Sequence, residues 1–343
     1  MAIGELVDGF GRRLNYVRIS VTDRCNFRCT YCMPEEGVAC LSHRDILRYE
    51  DIAFLCKAFA DLGVGKFRFT GGEPLVRKGL VPFLQEFHRE MPHIKTALTT
   101  NGSLLEEYAG ELSRAGLHSL NISLDTLDPE KFRQITRIGD IGRVLAGIDA
   151  ARRAGLKNIK LNAVLIRGFN DGEVERLLEF AEEHGLLLRL IEFMPLEDDV
   201  WTKDAFISGE EILSMLPGGR WIKENGGSKE DGPAQYFVNE ATGRRIGVID
   251  AVSNHFCKKL QPPARICGRR PADLPLQRER NAAEGYNRTQ GRGGAARSPA
   301  CRGARQAALL ERRKDRNAPY VRDRRLKLWA NTRISTPTGG PRS

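Results

Sequence analysis

Six short apolar runs alternate with amphipathic stretches between residues 14 and 195, and this alternation restricts the fold more than any other feature of the chain. Most runs are followed by polar or glycine-containing residues, and then by apolar residues at the three- and four-residue spacing of a helix. Such a repeat predicts a parallel α/β fold. The predicted strands are residues 16–20, 66–70, 94–99, 119–124, 159–166 and 187–193.

Six βα units are fewer than the eight of a closed barrel, so we expect a partial TIM-type (β/α)6 barrel with its site at the carboxyl ends of the strands. Residues 1–195 would form this barrel. Residues 196–259 are predicted to be an appended closing region, with a helix near 209–215, a glycine-rich loop at 225–233 and short strands at 236–238 and 246–249. In residues 260–343 the periodicity gives way to Arg, Gly, Ala and Pro, and this composition predicts a disordered tail.

Three of the eight cysteines, Cys25, Cys29 and Cys32, lie within eight residues. In a reducing compartment such clustering indicates metal rather than disulfides. Three thiolates at this spacing can bind three irons of a 4Fe-4S cubane and leave the fourth iron open. An open iron can bind S-adenosylmethionine (SAM) and deliver the electron that releases a 5'-deoxyadenosyl radical. A structural zinc site is the alternative, although zinc sites usually combine two Cys-x2-Cys or Cys/His pairs.

The cysteine motif follows the first predicted strand, and Thr70-Gly71-Gly72-Glu73-Pro74 closes the second. In both features the chain resembles the radical SAM superfamily. The segments Arg18-Ile-Ser-Val-Thr-Asp-Arg-Cys25, Leu98-Thr-Thr-Asn-Gly102 and Asn121-Ile-Ser-Leu-Asp-Thr-Leu127 narrow the resemblance to the GTP 3',8-cyclase family of molybdenum cofactor biosynthesis, over residues 10–259. The resemblance implies a lyase that converts GTP to (8S)-3',8-cyclo-7,8-dihydroguanosine 5'-triphosphate.

The resemblance also implies roles for individual residues. Cys25, Cys29 and Cys32 would hold the cluster and act in catalysis. The implied contacts to SAM are Tyr31, Gly72, Ser123 and Met194, and the implied contacts to GTP are Arg18, Arg68, Thr99 and Lys160. Arg189, on the sixth predicted strand with Glu192, is a further candidate. For any one arginine the ordinary alternative is a salt bridge, but three cations together suit a triphosphate.

The chain departs from the family at its second 4Fe-4S cluster, which the family binds through Cys-x2-Cys-x13-Cys. Only the first of these metal ligands, Cys257, is in place. The next two positions hold Leu260 and Leu274, while Cys267 and Cys301 do not fit the spacing. The site of the second cluster is therefore incomplete in this sequence.

A shift of reading frame would explain this departure. The codons of residues 260–263, read one base later, permit Cys-Asn-Arg-Leu, and the same frame permits a cysteine over Leu274. It also permits Met-Ser-Glu-Ile-Gly-Gly over residues 320–325, as at the family's carboxyl terminus. We therefore hypothesise that residues 260–343 arise from a +1 frameshift, either a pseudogene lesion or a sequencing error, which would leave the chain inactive in GTP cyclisation.

The charge distribution sets residues 260–343 apart from the rest of the chain. The chain has a net charge of +10, but residues 260–343 contain 20 Lys and Arg against 6 Asp and Glu, a net charge of +14, which leaves −4 for residues 1–259. A basic tail could bind nucleic acid, but its aromatic residues are scattered and it has no binding motif, so we do not expect that partner. A radical SAM enzyme acting on a peptide or another small molecule is the other alternative.

The expected partners follow from the resemblance. They are GTP, SAM, an electron donor such as flavodoxin or ferredoxin, the enzyme that makes cyclic pyranopterin monophosphate, and a second copy of the chain in a homodimer. The sequence has no basic region followed by an apolar one near Met1, and no run of about eighteen apolar residues, which predicts a cytoplasmic protein without a membrane partner.

Overall fold

The computed structural model describes residues 6–8, 13–38, 40–42, 45–195, 202–224 and 232–254, and two strands of the tail, Ala264–Ile266 and Thr332–Ile334. In chain order the strands are β1 Leu6–Asp8, β2 Tyr16–Ser20, β3 Lys66–Thr70, β4 Lys95–Thr100, β5 Ser119–Ser123, β6 Ile159–Leu165, β7 Leu187–Glu192, β8 Trp221–Lys223, β9 Gln235–Asn239, β10 Arg245–Ile249, β11 Ala264–Ile266 and β12 Thr332–Ile334.

The helices are α1 Tyr49–Asp61, α2 Leu80–Glu90, α3 Leu105–Arg114, α4 Pro129–Thr136, α5 Ile141–Arg153, α6 Val174–Glu183 and α7 Gly209–Ser214, with short 3-10 helices at Pro74–Val76 and Asp171–Glu173. Their starts follow from the sequence. Asp128 precedes Pro129 and accepts hydrogen bonds from the N–H groups of Glu130 and Lys131. Ser208 and Glu211 form a capping box at the start of α7. Such side chains satisfy N–H groups that have no partner inside the helix.

One open sheet organises the molecule, in the strand order β11-β2-β3-β4-β5-β6-β7-β10-β9-β8. The row from β11 to β10 is parallel, and β9 and β8 follow as antiparallel strands. The predicted partial barrel is confirmed, because β2 to β7 match the six predicted strands to within one residue at each end. The sheet is wider than predicted, since β10 and β11 each add a parallel strand to an edge that the six-stranded count left uncovered.

Apolar and polar residues alternate along the barrel strands, and this alternation separates an apolar layer from a polar interior. On β2, Val17 and Ile19 are buried in the apolar core, while Arg18 between them is only half-buried. On β6, Leu161 is buried and Lys160 and Asn162 are half-buried. Because successive side chains of a strand point to opposite faces, the apolar residues pack under the helices and the polar residues face the barrel interior.

Aromatic packing fixes the second barrel strand against its helix. Phe67 and Phe69 on β3 contact Phe87 on α2 with ring centroids 5.9 and 5.8 Å apart and near-perpendicular planes. Phe83 contacts Phe69 at 5.5 Å. Edge-to-face aromatic pairs add to the gain from burial, so this cluster holds β3 firmly against α2.

None of the helices in the described part of the chain has the length and hydropathy that a membrane-spanning segment requires.

The closing region shares the barrel sheet. Strand β10 pairs in parallel with β7, with Gly247 beside Arg189. The predicted domain boundary at residue 195 therefore divides strands of one sheet. Apart from β11 and β12, the tail lies outside the described residues, as does most of the predicted glycine-rich loop at 225–233.

Candidate functional site

The three clustered cysteines lie in the loop between β2 and α1. Cys25 and Cys29 are half-buried, and Cys32 is exposed. The backbone N–H of Phe27 donates to Cys25 Sγ over 3.4 Å, and Asn101 Nδ2 lies 4.0 Å from the same sulfur. Hydrogen bonds to cysteine sulfur are among the means by which a protein tunes an iron-sulfur cluster.

The donor set of this loop fits a cubane. Hydrogen bonding to Cys32, together with burial, raises the pKa of Cys29, and burial raises the pKa of Cys25. Both shifts favour the protonated thiols of Cys25 and Cys29, so a metal must displace their protons when it binds. In the described part of the chain, no three His, Cys, Asp or Glu side chains are placed to hold a single metal ion. A cubane binds each thiolate on a different iron, so its ligands need not meet at one point.

The end of α4 holds the cysteine loop in shape. Arg137 NH1 donates to the carbonyl oxygens of Arg28 at 2.7 Å and Met33 at 2.9 Å, on either side of the segment that carries Cys29 and Cys32. Arg137 adopts φ +64°, a region that is costly for a residue with a side chain. Its backbone strain is offset by contacts to the loop, which makes Arg137 a structural support of the cluster site.

The Gly-Gly-Glu-Pro turn packs directly on the segment that leads into Cys25. A Cβ atom on Gly71 would lie 2.3 Å from the carbonyl oxygen of Thr22, and one on Gly72 would lie 2.4 Å from that of Arg24. The N–H groups of Gly72 and Glu73 donate to those same two oxygens, at 2.9 and 2.8 Å. Only glycine permits so close an approach of two backbones, so these residues set the position of the cysteine loop.

Glu73 is fully buried at the centre of this turn. Its carboxylate accepts hydrogen bonds from the N–H of Leu75 at 3.0 Å, the hydroxyl of Thr100 at 2.8 Å and the N–H of Asn101 at 2.7 Å. Burial raises the pKa of Glu73 to about 7, and the three donors partly offset that effect. Glu73 thus ties the end of β3 to the end of β4.

An amide network extends from Glu73 toward the cysteines. Asn101 Nδ2 donates to Asn26 Oδ1 at 2.8 Å, and Asn26 Nδ2 donates to Ser103 Oγ at 2.9 Å. Ser103 in turn donates through its hydroxyl to Asn101 Oδ1 at 2.7 Å. The sequence motif contained Asn101, but the spacing along the chain did not indicate that it would meet Asn26, 75 positions away.

Tyr31 and Asp125 join the cysteine loop to the end of β5. The Tyr31 hydroxyl donates to Asp125 Oδ2 at 2.6 Å, and the N–H of Val164 donates to Asp125 Oδ1 at 2.8 Å. Burial raises the pKa of Asp125 to about 6. Ser123, at the end of β5, and Met194, just after β7, are half-buried at the same carboxyl edge of the sheet. The predicted SAM contacts therefore share one edge of the barrel.

The four residues predicted to contact GTP lie on four barrel strands. Arg18 on β2 is the register partner of Arg68 on β3. Arg68 NH1 donates to Thr99 Oγ1 at 3.2 Å, and Lys160 on β6 donates to the hydroxyl of Tyr236 at 3.2 Å. The structure thus brings Arg68 and Thr99 into contact. Arg18 lies on the strand next to Arg68, and Lys160 lies two strands beyond Thr99.

Arg189 on β7 belongs to the same interior, because its register partner is the inward-facing Asn162 on β6. Burial lowers the pKa of Arg189, the charge of Arg68 lowers it further, and Tyr236 opposes the shift. Arg189 Nε donates to Asn162 Oδ1 at 2.9 Å. Within the part of the chain that the structure describes, neither Arg68 nor Arg189 forms an ion pair with a carboxylate. The neighbouring candidate, Glu192, points instead to the closing region.

Cys257, the predicted ligand of the second cluster, lies outside the described residues.

The sequence analysis missed Tyr16 and Tyr236, whose hydroxyl groups contact the interior cations. Tyr16 could have been found, since it lies two residues before Arg18 on the same strand face. The predicted short strand at 236–238 contained Tyr236, but no sequence signal marked it as a site residue, because it reaches the interior from an antiparallel strand beyond β10.

A partial barrel of parallel strands, with a three-cysteine loop after its first barrel strand and a Gly-Gly-Glu-Pro turn after the second, defines a radical SAM protein. Residues 19–181 match the radical SAM superfamily, and residues 186–261 match the family Molybdenum Cofactor Synthesis C. SuiB of Streptococcus suis, solved with its precursor peptide, has the same fold with a TM-score of 0.50 and 18% identity, over 59% of this chain and 44% of that one.

The chain belongs to the GTP 3',8-cyclase family. It is 46% identical to the GTP 3',8-cyclase of Peptoclostridium acidaminophilum over 255 residues, which are 74% of this chain and 78% of that protein. It is 47% identical to the GTP 3',8-cyclase of Geobacter sulfurreducens over 253 residues, again 74% of this chain and 78% of the relative.

Proposed function

We propose that this chain is built to convert GTP to (8S)-3',8-cyclo-7,8-dihydroguanosine 5'-triphosphate in molybdenum cofactor biosynthesis, as a radical SAM lyase. The observation that carries the proposal is the placement of several cations inside the barrel whose loop presents Cys25, Cys29 and Cys32. Two of these cations, Arg68 and Arg189, have no carboxylate partner among the described residues. A site with this charge suits a triphosphate rather than a neutral substrate or a peptide.

The residues divide into a radical-generating group and a substrate-holding group. Cys25, Cys29 and Cys32 would hold the 4Fe-4S cluster. When bound, this cluster supplies the electron that splits SAM and yields a 5'-deoxyadenosyl radical. We assign contacts to SAM to Tyr31, Gly72, Ser123 and Met194, which lie at the carboxyl edge of the sheet.

Substrate contacts would come from the barrel interior. Arg18, Arg68, Thr99 and Lys160 would hold the triphosphate, with charge-assisted hydrogen bonds from the guanidinium and ammonium groups. The barrel places these side chains on strands whose carboxyl ends bear the cysteine loop and the Gly-Gly-Glu-Pro turn. The same strands would thus keep the ribose of GTP close to the radical.

The second cluster of the family would need Cys257 and two further cysteines at the spacing x2 and x13. This chain has no cysteine at either of those two positions. We propose that a +1 frameshift near residue 260 removed them. Two findings support this proposal. The match to Molybdenum Cofactor Synthesis C ends at residue 261. The alignment with the relative from Peptoclostridium acidaminophilum covers 74% of this chain, which leaves out a share about as large as the 84 residues 260–343.

The remaining partners belong to the proposal as well. The reaction consumes electrons, so a donor such as flavodoxin or ferredoxin is required. The cyclised product needs an enzyme that rearranges it to cyclic pyranopterin monophosphate. GTP and reduced thiols are typical of the cytoplasm, and we propose that the enzyme works there. We also propose residues 1–195 as the barrel domain and residues 196–259 as its closing region.

Anaerobic reconstitution with iron and sulfide tests the function and the frameshift together. We expect one cluster per chain for the protein as given, two for a version restored to the family's frame from residue 260, and one for that version with Cys25→Ser. GTP cyclisation should be detected only with the restored version that retains Cys25. A Cys25→Ser variant that still cleaves SAM would contradict the assignment of the cluster.

Gene sequencing provides a separate test of the frameshift. We expect the nucleotides of residue 260 to encode cysteine when they are read one base later. If they cannot, the tail has another origin, while the assignment of the first cluster is unaffected.

A further inference from the structure

Tyrosine hydroxyls hold the cations of the barrel interior. Tyr16, the first residue of β2, accepts a hydrogen bond from Arg68 Nε at 2.6 Å. Tyr236, on β9, accepts one from Lys160 Nζ at 3.2 Å. The two tyrosines come from opposite ends of the parallel row, since β2 lies beside β11 and β9 lies beyond β10. Both therefore approach the same interior from different sides.

Tyr236 also reaches the third interior cation. A Cβ atom on Gly247 would lie 2.9 Å from Arg189 Cγ and 3.1 Å from Tyr236 Cε1, so the absence of a side chain there leaves room for both groups. Gly247 on β10 is the register partner both of Arg189 on β7 and of Tyr236 on β9. Arg189 and Tyr236 therefore meet across Gly247, although they belong to strands on either side of β10.

A neutral partner fixes a cation without cancelling its charge. A tyrosine hydroxyl accepts a hydrogen bond through a neutral oxygen, whereas a carboxylate partner brings a negative charge that offsets the cation. Elsewhere in this chain arginines do pair with carboxylates, for example Arg244 with Glu182 at 2.9 Å and Arg167 with Glu211 at 2.8 Å. Among the described residues of the barrel interior, Arg68 and Arg189 are instead anchored by hydroxyl, amide and carbonyl groups.

The anchoring of Arg68 also sets its orientation. Its Nε donates to Tyr16 and its NH1 donates to the Leu98 carbonyl and to Thr99 Oγ1, both at 3.2 Å. Its NH2 forms no hydrogen bond within the described residues. A planar guanidinium held at two nitrogens presents the third in a fixed direction, as recognition of a phosphate oxygen requires.

We propose that Tyr16 and Tyr236 are positioning residues for the substrate's phosphate groups: they hold Arg68, Lys160 and Arg189 in place and leave the charge of the two arginines available to a triphosphate. The inference rests on the proposed function, because GTP is the triphosphate in question. It adds two residues to those that the sequence indicated, and it assigns the closing strand β9 a part in binding.

Phenylalanine variants isolate the hydroxyl groups, since they keep the ring and its packing. We expect Tyr16→Phe and Tyr236→Phe each to weaken binding of GTP and of inorganic tripolyphosphate by about three- to tenfold, the net effect of one lost hydrogen bond that acts through the cation it holds. The loss should shrink from GTP to GDP to GMP and disappear with guanosine. A purely structural defect would weaken all four ligands alike.

Tyr49→Phe is the matched control. Tyr49 lies at the start of the outer helix α1, its hydroxyl donates to the Lys78 carbonyl at 3.2 Å, and Arg77 lies 4.1 Å over its ring. It is therefore a tyrosine beside an arginine outside the barrel interior. Titration calorimetry on the anaerobically reconstituted chain measures binding, and thermal unfolding of each variant verifies that it is folded.

The outcomes separate the inference from the proposed function. Unchanged binding of tripolyphosphate by both interior variants, or equal losses with guanosine, would overturn the inference even if GTP binds. Binding of tripolyphosphate but not GTP by both the parent chain and the frame-restored version, with the expected losses in the variants, would overturn the proposed substrate and uphold the inference. If neither of these two proteins binds either ligand, both proposals are overturned.

Discussion

The carboxylate of Glu192, at the end of β7, accepts a hydrogen bond from the N–H of Val252 at 2.7 Å. The same side chain accepts from the N–H of Ser253 at 2.9 Å and from the N–H of Gly209 at 2.7 Å. Glu192 is fully buried. One side chain of the barrel therefore fixes both the start of α7 and the segment that leads toward Cys257.

Replacing Glu192 with glutamine should release the closing region. Glu192→Gln places an NH2 group against backbone N–H donors, so we expect the free energy of unfolding to fall by about 2 kcal/mol and cleavage by added protease within residues 202–254 to accelerate. Urea unfolding and limited proteolysis measure these effects. Glu210→Gln, an exposed change on the same helix α7, should have neither effect; equal results for both variants would contradict the role of Glu192.

Adding one methyl group at Gly72 should displace the cysteine loop. A Cβ at this position would meet the backbone oxygens of Arg24 at 2.4 Å and Asp23 at 2.8 Å. We expect Gly72→Ala to cost about 1–3 kcal/mol of stability and to lower the iron bound after reconstitution. Gly65→Ala, at the other end of β3 with nothing within 4 Å, is the control. Normal iron content in Gly72→Ala would show that the loop tolerates the shift.

Removing the guanidinium of Arg137 should loosen the segment that carries Cys29 and Cys32. Arg137→Met loses the donors to the carbonyl oxygens of Arg28 and Met33, and we expect amide hydrogen exchange in residues 28–33 to accelerate, with about 1–2 kcal/mol less protection. Iron release to a chelator should accelerate in parallel. Arg133→Met, exposed on α4, is the control. If both variants release iron at the parent rate, Arg137 does not support the cluster.

Stability should depend on pH through Glu73. Burial raises its pKa from 4.5 to about 7, so the folded chain retains this proton at a pH where the unfolded chain has lost it. The contribution of Glu73 to the free energy of unfolding is therefore fully present below the pKa of the unfolded chain. It is lost as the pH rises through the pKa of the folded chain.

Comparison with Glu73→Gln isolates this group, because the amide does not titrate. Between about pH 5 and pH 8 the parent chain should lose roughly 2–3 kcal/mol more stability than the variant, measured by urea unfolding of the iron-free protein. Parallel pH profiles for the two proteins would show that Glu73 keeps an ordinary pKa.

Periodicity predicted the barrel strands well because each of them buries one apolar face under helices. Val17 and Ile19, or Leu161 and Leu165, leave a two-residue repeat in the sequence. The edge strands left no such repeat. Strand β11 has three residues, and β8 has only one half-buried residue, Trp221, so neither presents an apolar face long enough to detect.

The sequence by itself determined the chemistry of the cluster loop and the family, because the spacing of Cys25, Cys29 and Cys32 and the Gly-Gly turn are local properties of the chain. Only the tertiary structure decided which distant residues complete the site. Tyr16 and Arg68 are 52 positions apart, and Lys160 and Tyr236 are 76 apart. Their contacts depend on how the strands are ordered in the sheet, since hydrogen bonds between strands, not spacing along the chain, bring these side chains together.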